Sequence, residues 1–312
     1  MKRILILANF DVGLYKFRKE LIQELLNQGN EVYISLPDGE LVRSLEKMGC
    51  KFVNTAVDRR GINPKTDAKL MFFYKKLIKK LHPDLVITYT IKPNIYGGLM
   101  CRMLRVPYAV NITGLGTAFQ SESAVKKLVT FLYKIALKKA KVVFFENIGN
   151  KQTFLDLHIL KEKQICVLNG AGVNLAEYPF CEYPSENETR FLFIGRVMKE
   201  KGVDELFEAA ERIKKQHSDV FFDVVGPLED DYKSKLEELV QKGVIVYHGY
   251  QKDVKPFIEK CHCFVLPSYH EGMANTLLEA GAMGRPLITS NIHGCLEAVE
   301  EGRNGYLAEA KN

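Results

Sequence analysis

Short apolar runs of four to six residues alternate, almost from end to end of the chain, with longer stretches in which apolar positions recur every three or four residues. Unbroken apolar runs are what strands buried on both faces of a parallel sheet require, and the amphipathic stretches between them are the helices that cover it. In the first half, strands are predicted at 3–8, 31–36, 51–55, 84–89, 107–112, 141–145 and 164–168. Between the first two, Phe17, Leu21, Ile22, Leu25 and Leu26 lie at helical spacing, and Gly29 stands where that helix would stop. The rhythm breaks over 170–189, where Gly170, Gly172, Pro179 and Pro184 sit among polar residues and read as a linker. A second series follows, with strands near 190–194, 219–225, 244–247, 262–266 and 286–290 and helices at about 203–215, 230–242, 253–260 and 275–283. The pattern therefore predicts an α/β chain of two doubly wound domains, residues 1–169 and 190–312. Right-handed crossovers follow by default. Two such domains in tandem put a cleft between them, with the carboxyl ends of both sheets facing it, where ligands belong.

With 312 residues the chain is long enough for two cores. No run approaches the roughly 18–20 apolar residues of a membrane span, and the apolar start Arg3–Ala8 lacks a cleavage site, so it reads as a buried strand rather than a signal peptide. Seven scattered cysteines, an odd number, argue against a disulfide framework and for a reducing, cytoplasmic setting. Charge changes the picture more. Residues 1–165 carry 28 Lys and Arg against 14 Asp and Glu, a net of +14, while the remainder carries 16 against 24, a net of −8. A basic half can face nucleic acid, an anionic membrane or a phosphorylated substrate, or be simply a solvated surface.

The chemistry concentrates in the second half. The apolar strand Cys263–Leu266 runs into Pro267-Ser268, so Glu271 falls on a loop just past a strand end and Glu279 within the next helix. The start of that helix offers unpaired N–H groups and a positive dipole end. Such an arrangement suits a sugar nucleotide, with backbone amides of Met273, Ala274, Asn275 and Thr276 for phosphate and the carboxylates of Glu271 and Glu279 for hydroxyls. A second strand-to-helix turn, Gly195–Gly202, offers close backbone approach at Gly195 and a diphosphate clamp from Arg196 and Lys201.

These two segments, GRVMKEKG and EGMANTLLE, whose first residues are Gly195 and Glu271, resemble the second-domain pattern of the family-4 glycosyltransferases. The resemblance implies the GT-B fold of two Rossmann-like domains and transfer with retention of anomeric configuration. It implies that Arg196 and Lys201 bind the donor diphosphate, Glu279 the ribose hydroxyls and Glu271 the transferred sugar, with Gly272 in the same loop. It also implies that Gly249-Tyr250-Gln251 holds the nucleobase, against which Tyr250 reads equally as a packing aromatic. In the first half, Asn9–Gly13 resembles the family's acceptor-side loop, placing Asp11, Gly13 and Arg18 near an acceptor. The loops Thr90–Gly97 and Asn111–Thr117 resemble a bacterial branch that extends surface polysaccharides or glycans on polyprenyl diphosphate. There Lys92 would neutralise an acceptor phosphate, with Asn94, Thr113 and Gly114 beside it. Several positions depart from the family pattern. Thr113 replaces a frequent His, Ala274 a frequent Pro, and a Gly-x-Gly loop is reduced to Gly226-Pro227, so no specific role is assigned to Gly226. The chain also stops at Asn312, earlier than the family usually does, as a fragment or a short variant would.

The expected partners are a UDP-sugar, with an N-acetylhexosamine as the sugar, and a membrane-borne saccharide, with no cofactor, no metal and no nucleic acid. No Asp-x-Asp of the metal-dependent transferases is present, and Asp38-Gly39-Glu40 reads as a turn. Cys261-His262-Cys263 enters an apolar strand without a matching cluster and reads as structural. His270 either touches the donor or faces solvent. The basic amphipathic stretches Lys69–Lys80 and Lys126–Lys141 predict docking on anionic lipid at the inner face of the cell membrane. The rival readings are a dinucleotide-dependent oxidoreductase, which lacks G-x-G-x-x-G after the first strand, and a non-catalytic nucleotide-sugar binder.

Overall fold

A computed structural model describes residues 1–58, 63–116, 119, 123–184, 188–229 and 232–312. The chain divides into two compact units, Met1–Ala171 and Gly172–Asn312. In the first, β1 (Arg3–Leu7), β2 (Glu31–Leu36), β3 (Lys51–Asn54), β4 (Leu85–Tyr89), β5 (Tyr108–Ile112), β6 (Val142–Phe145) and β7 (Ile165–Val167) form a parallel sheet in the order β3-β2-β1-β4-β5-β6-β7. In the second, β8 (Thr189–Ile194), β9 (Val220–Val225), β10 (Ile245–Tyr247), β11 (Cys263–Leu266), β12 (Leu287–Ser290) and β13 (Gly305–Ala308) are parallel in the order β10-β9-β8-β11-β12-β13.

Alternation along these strands builds the cores. Ile4, Ile6, Ile34 and Ile87 fill one face of the first sheet, while Leu5, Leu7, Val86 and Val110 fill the other. A single continuous core around Phe193, Phe207 and Phe264 serves the second unit. The sequence pattern missed β13. It is an edge strand, only Gly305 of its four residues is buried, and its apolar stretch, Tyr306-Leu307-Ala308, is shorter than the runs that mark strands such as β1 and β8.

Helices connect the strands: α1 (Asp11–Asn27), α2 (Val42–Lys47), α3 (Pro64–Leu81), α4 (Gly98–Leu104), α5 (Ala124–Ala136) and α6 (Ile148–Asp156) in the first unit, and α7 (Val203–Gln216), α8 (Lys233–Gln241), α9 (Lys255–Lys260) and α10 (Asn275–Ala282) in the second. Their ends follow local chemistry. Asn63 accepts from the Lys65 N–H at 3.0 Å with Pro64 at the first helical position of α3, and Ser123 accepts from the Lys126 N–H at 3.2 Å to start α5. The helix expected over 126–141 stops sooner, ending in a 3-10 turn at Leu137–Lys139. On α5 Leu128 and Phe131 are exposed, as is Phe72 on α3.

The segment expected as a linker largely belongs to the second unit. The Arg285 guanidinium, 2% exposed, donates to the Cys181 and Glu182 carbonyls at 3.0 and 2.8 Å. The Tyr183 hydroxyl donates to the His262 carbonyl at 2.9 Å, and a Cβ on Gly284 would lie 2.6 Å from the Phe180 ring.

Strand order reverses once in each sheet, between β1 and β4 and between β8 and β11. At such a point the connections leave on opposite faces and the carboxyl ends of the two central strands open into a crevice. The loops after β1 and β4, and those after β8 and β11, are among those that sequence reading selects for chemistry, together with the loops after β5 and β10.

Candidate functional site

In the second unit two loops are forced together by glycine. Gly226, after β9, has φ +142°, and a Cβ there would lie 1.9 Å from the Gly195 carbonyl oxygen, while its N–H donates to Gly249 at 2.8 Å. Gly226 therefore has a steric role that the reduced Gly-Pro motif concealed. Lys199–Lys201 form a 3-10 turn closed by Gly202, whose φ is +68° and whose Cβ would fall 1.9 Å from the Pro267 carbonyl oxygen. Only glycine combines a left-handed backbone with so close an approach.

That contact brings the turn against the end of β11, and Lys201 Nζ meets Glu271 Oε1 in a largely buried ion pair. Ser268, fully buried, donates from Oγ to the same oxygen at 2.8 Å. From the other side Gly294, with φ +94°, packs so tightly that a Cβ would lie 2.8 Å from the Glu271 Cβ and carbonyl oxygen and from the Gly272 carbonyl oxygen. Gly294 was not foreseen, because nothing local marks a glycine after β12 as a neighbour of Glu271.

Helix α10 opens at Asn275 without a capping side chain, which leaves its positive end open to an anion. Of the four amides expected to serve phosphate, that of Ala274 is instead committed to the Gly294 carbonyl at 2.8 Å, and Met273 and Ala274 are buried. The Asn275 Oδ1 is buried without a hydrogen-bond partner. Glu279, in the second turn of α10, accepts from the Tyr178 hydroxyl, and burial together with that carboxylate raises the Tyr178 pKa.

Arg196 is not drawn into this cluster. It is half exposed and pairs with Glu229 at 3.1 Å, where residues 197 and 228 bridge beyond the ends of β8 and β9. Tyr250 is 56% exposed, which removes the packing-aromatic reading, and Gln251 Nε2 donates to the His248 carbonyl at 2.7 Å. Burial, with the Lys311 charge adding to it, lowers the His270 pKa. His262 is structural: it is buried, and its Nδ1 accepts from the Arg190 N–H at 3.1 Å.

The first unit corrects several acceptor-side expectations. Asp11 and Gly13 lie in the first turn of α1 rather than on a loop, because the helix starts right after the extended Phe10. Asp11 is buried and accepts from the Leu41 N–H at 2.8 Å, so its carboxylate holds the Asp38–Glu40 turn instead of facing a ligand. Asn94 is 1% exposed, with Oδ1 accepting from Thr88 Oγ1 at 2.7 Å and Nδ2 donating to the Asn111 carbonyl at 2.8 Å; it ties strands together and offers a ligand nothing. Lys92 is paired with Asp67 at 2.7 Å, so its charge is already met within the unit. Arg18 lies over the Tyr89 ring at 5.2 Å and forms a buried ion pair with Glu146, which sequence reading missed. Burial raises the Glu146 pKa against the opposing pull of Arg18. Thr113 and Gly114 remain partly accessible after β5, and Thr117, at the end of that loop, lies outside the described residues.

Residues 188–312 match the family described as glycosyl transferases group 1, and residues 3–147 that described as glycosyl transferase 4-like. The chain is 30% identical to the N,N'-diacetylbacillosaminyl-diphospho-undecaprenol alpha-1,3-N-acetylgalactosaminyltransferase of Campylobacter jejuni, over 99% of this chain and 86% of the relative. The chain belongs to the group 1, family-4-like glycosyltransferases. It is also 28% identical to the UDP-Gal:alpha-D-GlcNAc-diphosphoundecaprenol alpha-1,3-galactosyltransferase of Escherichia coli, over 80% of this chain and 68% of the relative. Among solved structures, a glycosyltransferase from Rickettsia africae superposes with a TM-score of 0.81 at 21% identity, over all of this chain and 85% of that one. Anabaena HepE, in complex with UDP and glucose, superposes at 0.78 with 17% identity, over all of this chain and 86% of that one. These likenesses identify the fold as GT-B, two Rossmann-like domains. Membership makes the chain a glycosyltransferase and sets aside the dehydrogenase and the non-catalytic binder. No helix among the described residues is long and apolar enough to cross a membrane.

Proposed function

We propose that this glycosyltransferase moves a sugar, an N-acetylhexosamine in our reading, from a UDP-sugar to a saccharide carried on polyprenyl diphosphate, with retention of configuration. The observation that carries the reading is the Lys201–Glu271 pair, held by Ser268 beside the uncapped start of α10 at the switch point of the second sheet. The names of the Campylobacter and Escherichia relatives, both transferases acting on diphospho-undecaprenol saccharides, support the acceptor class.

The chemistry follows from charge. As the donor's glycosidic bond breaks toward an oxocarbenium-like state, negative charge gathers on the departing UDP. Lys201, Arg196 and the amides of Asn275 and Thr276 stabilise it, each well-placed donor contributing about 3–4 kcal/mol if it acts as an oxyanion contact does. Lys201 is shared between Glu271 and the incoming diphosphate, so donor binding loosens the ion pair and frees Glu271 to accept from hydroxyls of the transferred sugar. Glu279 takes the ribose hydroxyls, and Tyr250 and Gln251 flank the base. In a front-face transfer the leaving phosphate takes the acceptor proton, and no cofactor is needed. The basic helices α3 and α5, with Phe72, Leu128 and Phe131 exposed, hold the enzyme on the anionic cytoplasmic leaflet where such acceptors reside.

UDP release from a panel of UDP-sugars, with and without undecaprenyl-diphospho-N-acetylhexosamine, tests the reading. Acceptor-stimulated release that is lost in Lys201→Ala and in Glu271→Gln is expected. A protein that binds UDP but neither hydrolyses nor transfers any sugar of the panel would refute it.

A further inference from the structure

At the end of β4, where strand order in the first sheet reverses, Thr90 has φ +70°. It is the one β-branched residue with a positive φ among the described residues, in a region such side chains avoid. Its hydroxyl is buried and makes no hydrogen bond, whereas the hydroxyl of Thr88, two residues earlier, is met by Asn94 at 2.7 Å. The surroundings hold the strain in place. The Thr90 carbonyl accepts from the Asn94 N–H at 2.9 Å as Pro93–Gly97 wind into a π-helix. Gly116, at φ +68°, packs with its Cβ position 2.9 Å from Ile91 Cδ1.

A strained backbone and an unmet buried hydroxyl each cost stability, and they persist where a ligand uses them. The position is the ligand-binding edge of a doubly wound sheet. The nearby charges are already spent, since Arg18 pairs with Glu146 over Tyr89 and Lys92 with Asp67. An uncharged group therefore fits this spot better than a phosphate does.

We propose that the Thr90 hydroxyl is a specificity contact for a sugar hydroxyl of the acceptor saccharide. This rests on the acceptor reading given above. The test compares Thr90→Val, which keeps the shape and removes the hydroxyl, Thr90→Ser, which keeps the hydroxyl, and Thr90→Gly, which removes both the strain and the hydroxyl. Three quantities are read in the full chain: melting temperature, UDP-sugar hydrolysis without acceptor, and transfer to undecaprenyl-diphospho-N-acetylglucosamine. In Thr90→Val the acceptor KM is expected to rise about tenfold relative to any change in hydrolysis, with Thr90→Ser restoring most of it. Thr90→Gly is expected to melt about 2–4 °C higher while losing transfer as Val does. Thr90→Val with the wild-type acceptor KM, or Thr90→Gly with a lowered melting temperature, would overturn the proposal alone. Absence of transfer by the wild type, with hydrolysis intact, would remove the acceptor reading and the proposal with it.

Discussion

Gly202 is where backbone geometry and the site are most directly coupled, and Gly202→Ala measures that coupling. The substitution places a methyl 1.9 Å from the Pro267 carbonyl oxygen, so the turn and the end of β11 must part by more than an ångström to reach ordinary contact. Two costs add: about 1–2 kcal/mol for alanine in the left-handed region, and roughly 1–3 kcal/mol for the forced separation. Gly243 supplies the control. Its φ of +67° matches that of Gly202, but nothing lies within 4 Å of its Cβ position, so Gly243→Ala carries only the first cost. For a unit of this size each kcal/mol is worth roughly 4 °C in melting temperature. Differential scanning calorimetry should therefore show Gly202→Ala melting roughly 4–12 °C below Gly243→Ala. Transferase activity should fall only in the former, because the separation pulls Lys201 from Glu271. Equal melting temperatures, or full activity in Gly202→Ala, would refute the argument that this contact builds the site.

Three further outcomes are expected. Arg18→Met leaves Glu146 buried without its partner, at a cost of about 3–5 kcal/mol near neutral pH; because burial raises the folded-state carboxyl pKa, the unfolded state loses its proton first as pH rises, so urea midpoints should begin to recover as pH falls through the raised folded-state value, above the ordinary carboxylate range, and the recovery should be complete below that range. Asn94→Ala strands the Thr88 hydroxyl and the Asn111 carbonyl and should lower stability by about 2–3 kcal/mol in urea titrations. Burial pushes the thiol of Cys50 up to about 11 and those of Cys101, Cys261, Cys263 and Cys295 up to about 12, so only Cys166 and Cys181 should take up iodoacetamide rapidly at pH 8, as read by peptide mass mapping.

The parallel sheets were legible in sequence because strands buried on both faces leave unbroken apolar runs, as Ile4–Leu7 and Phe191–Ile194 do. The half-exposed edge strand Gly305–Ala308 leaves only the three-residue stretch Tyr306-Leu307-Ala308. The Lys201 and Glu271 segments were legible for a similar reason: each follows an apolar strand directly, and fold geometry places strand ends at the ligand. Partners across the chain were not. Arg18 meets Glu146 over a separation of 128 residues, and Asn94 looks like a loop polar residue until the π-helix turns it inward. Gly294 and Glu229 act on the site only through tertiary approach, which no local pattern encodes.

Arg285 has a practical corollary for dissecting the enzyme. Its buried guanidinium finds its hydrogen-bond acceptors in the Cys181 and Glu182 carbonyls, so a fragment cut at the start of β8 would bury a cation with no acceptor. The second unit is therefore best excised from Gly172, taking the stretch ahead of the sheet as its clasp.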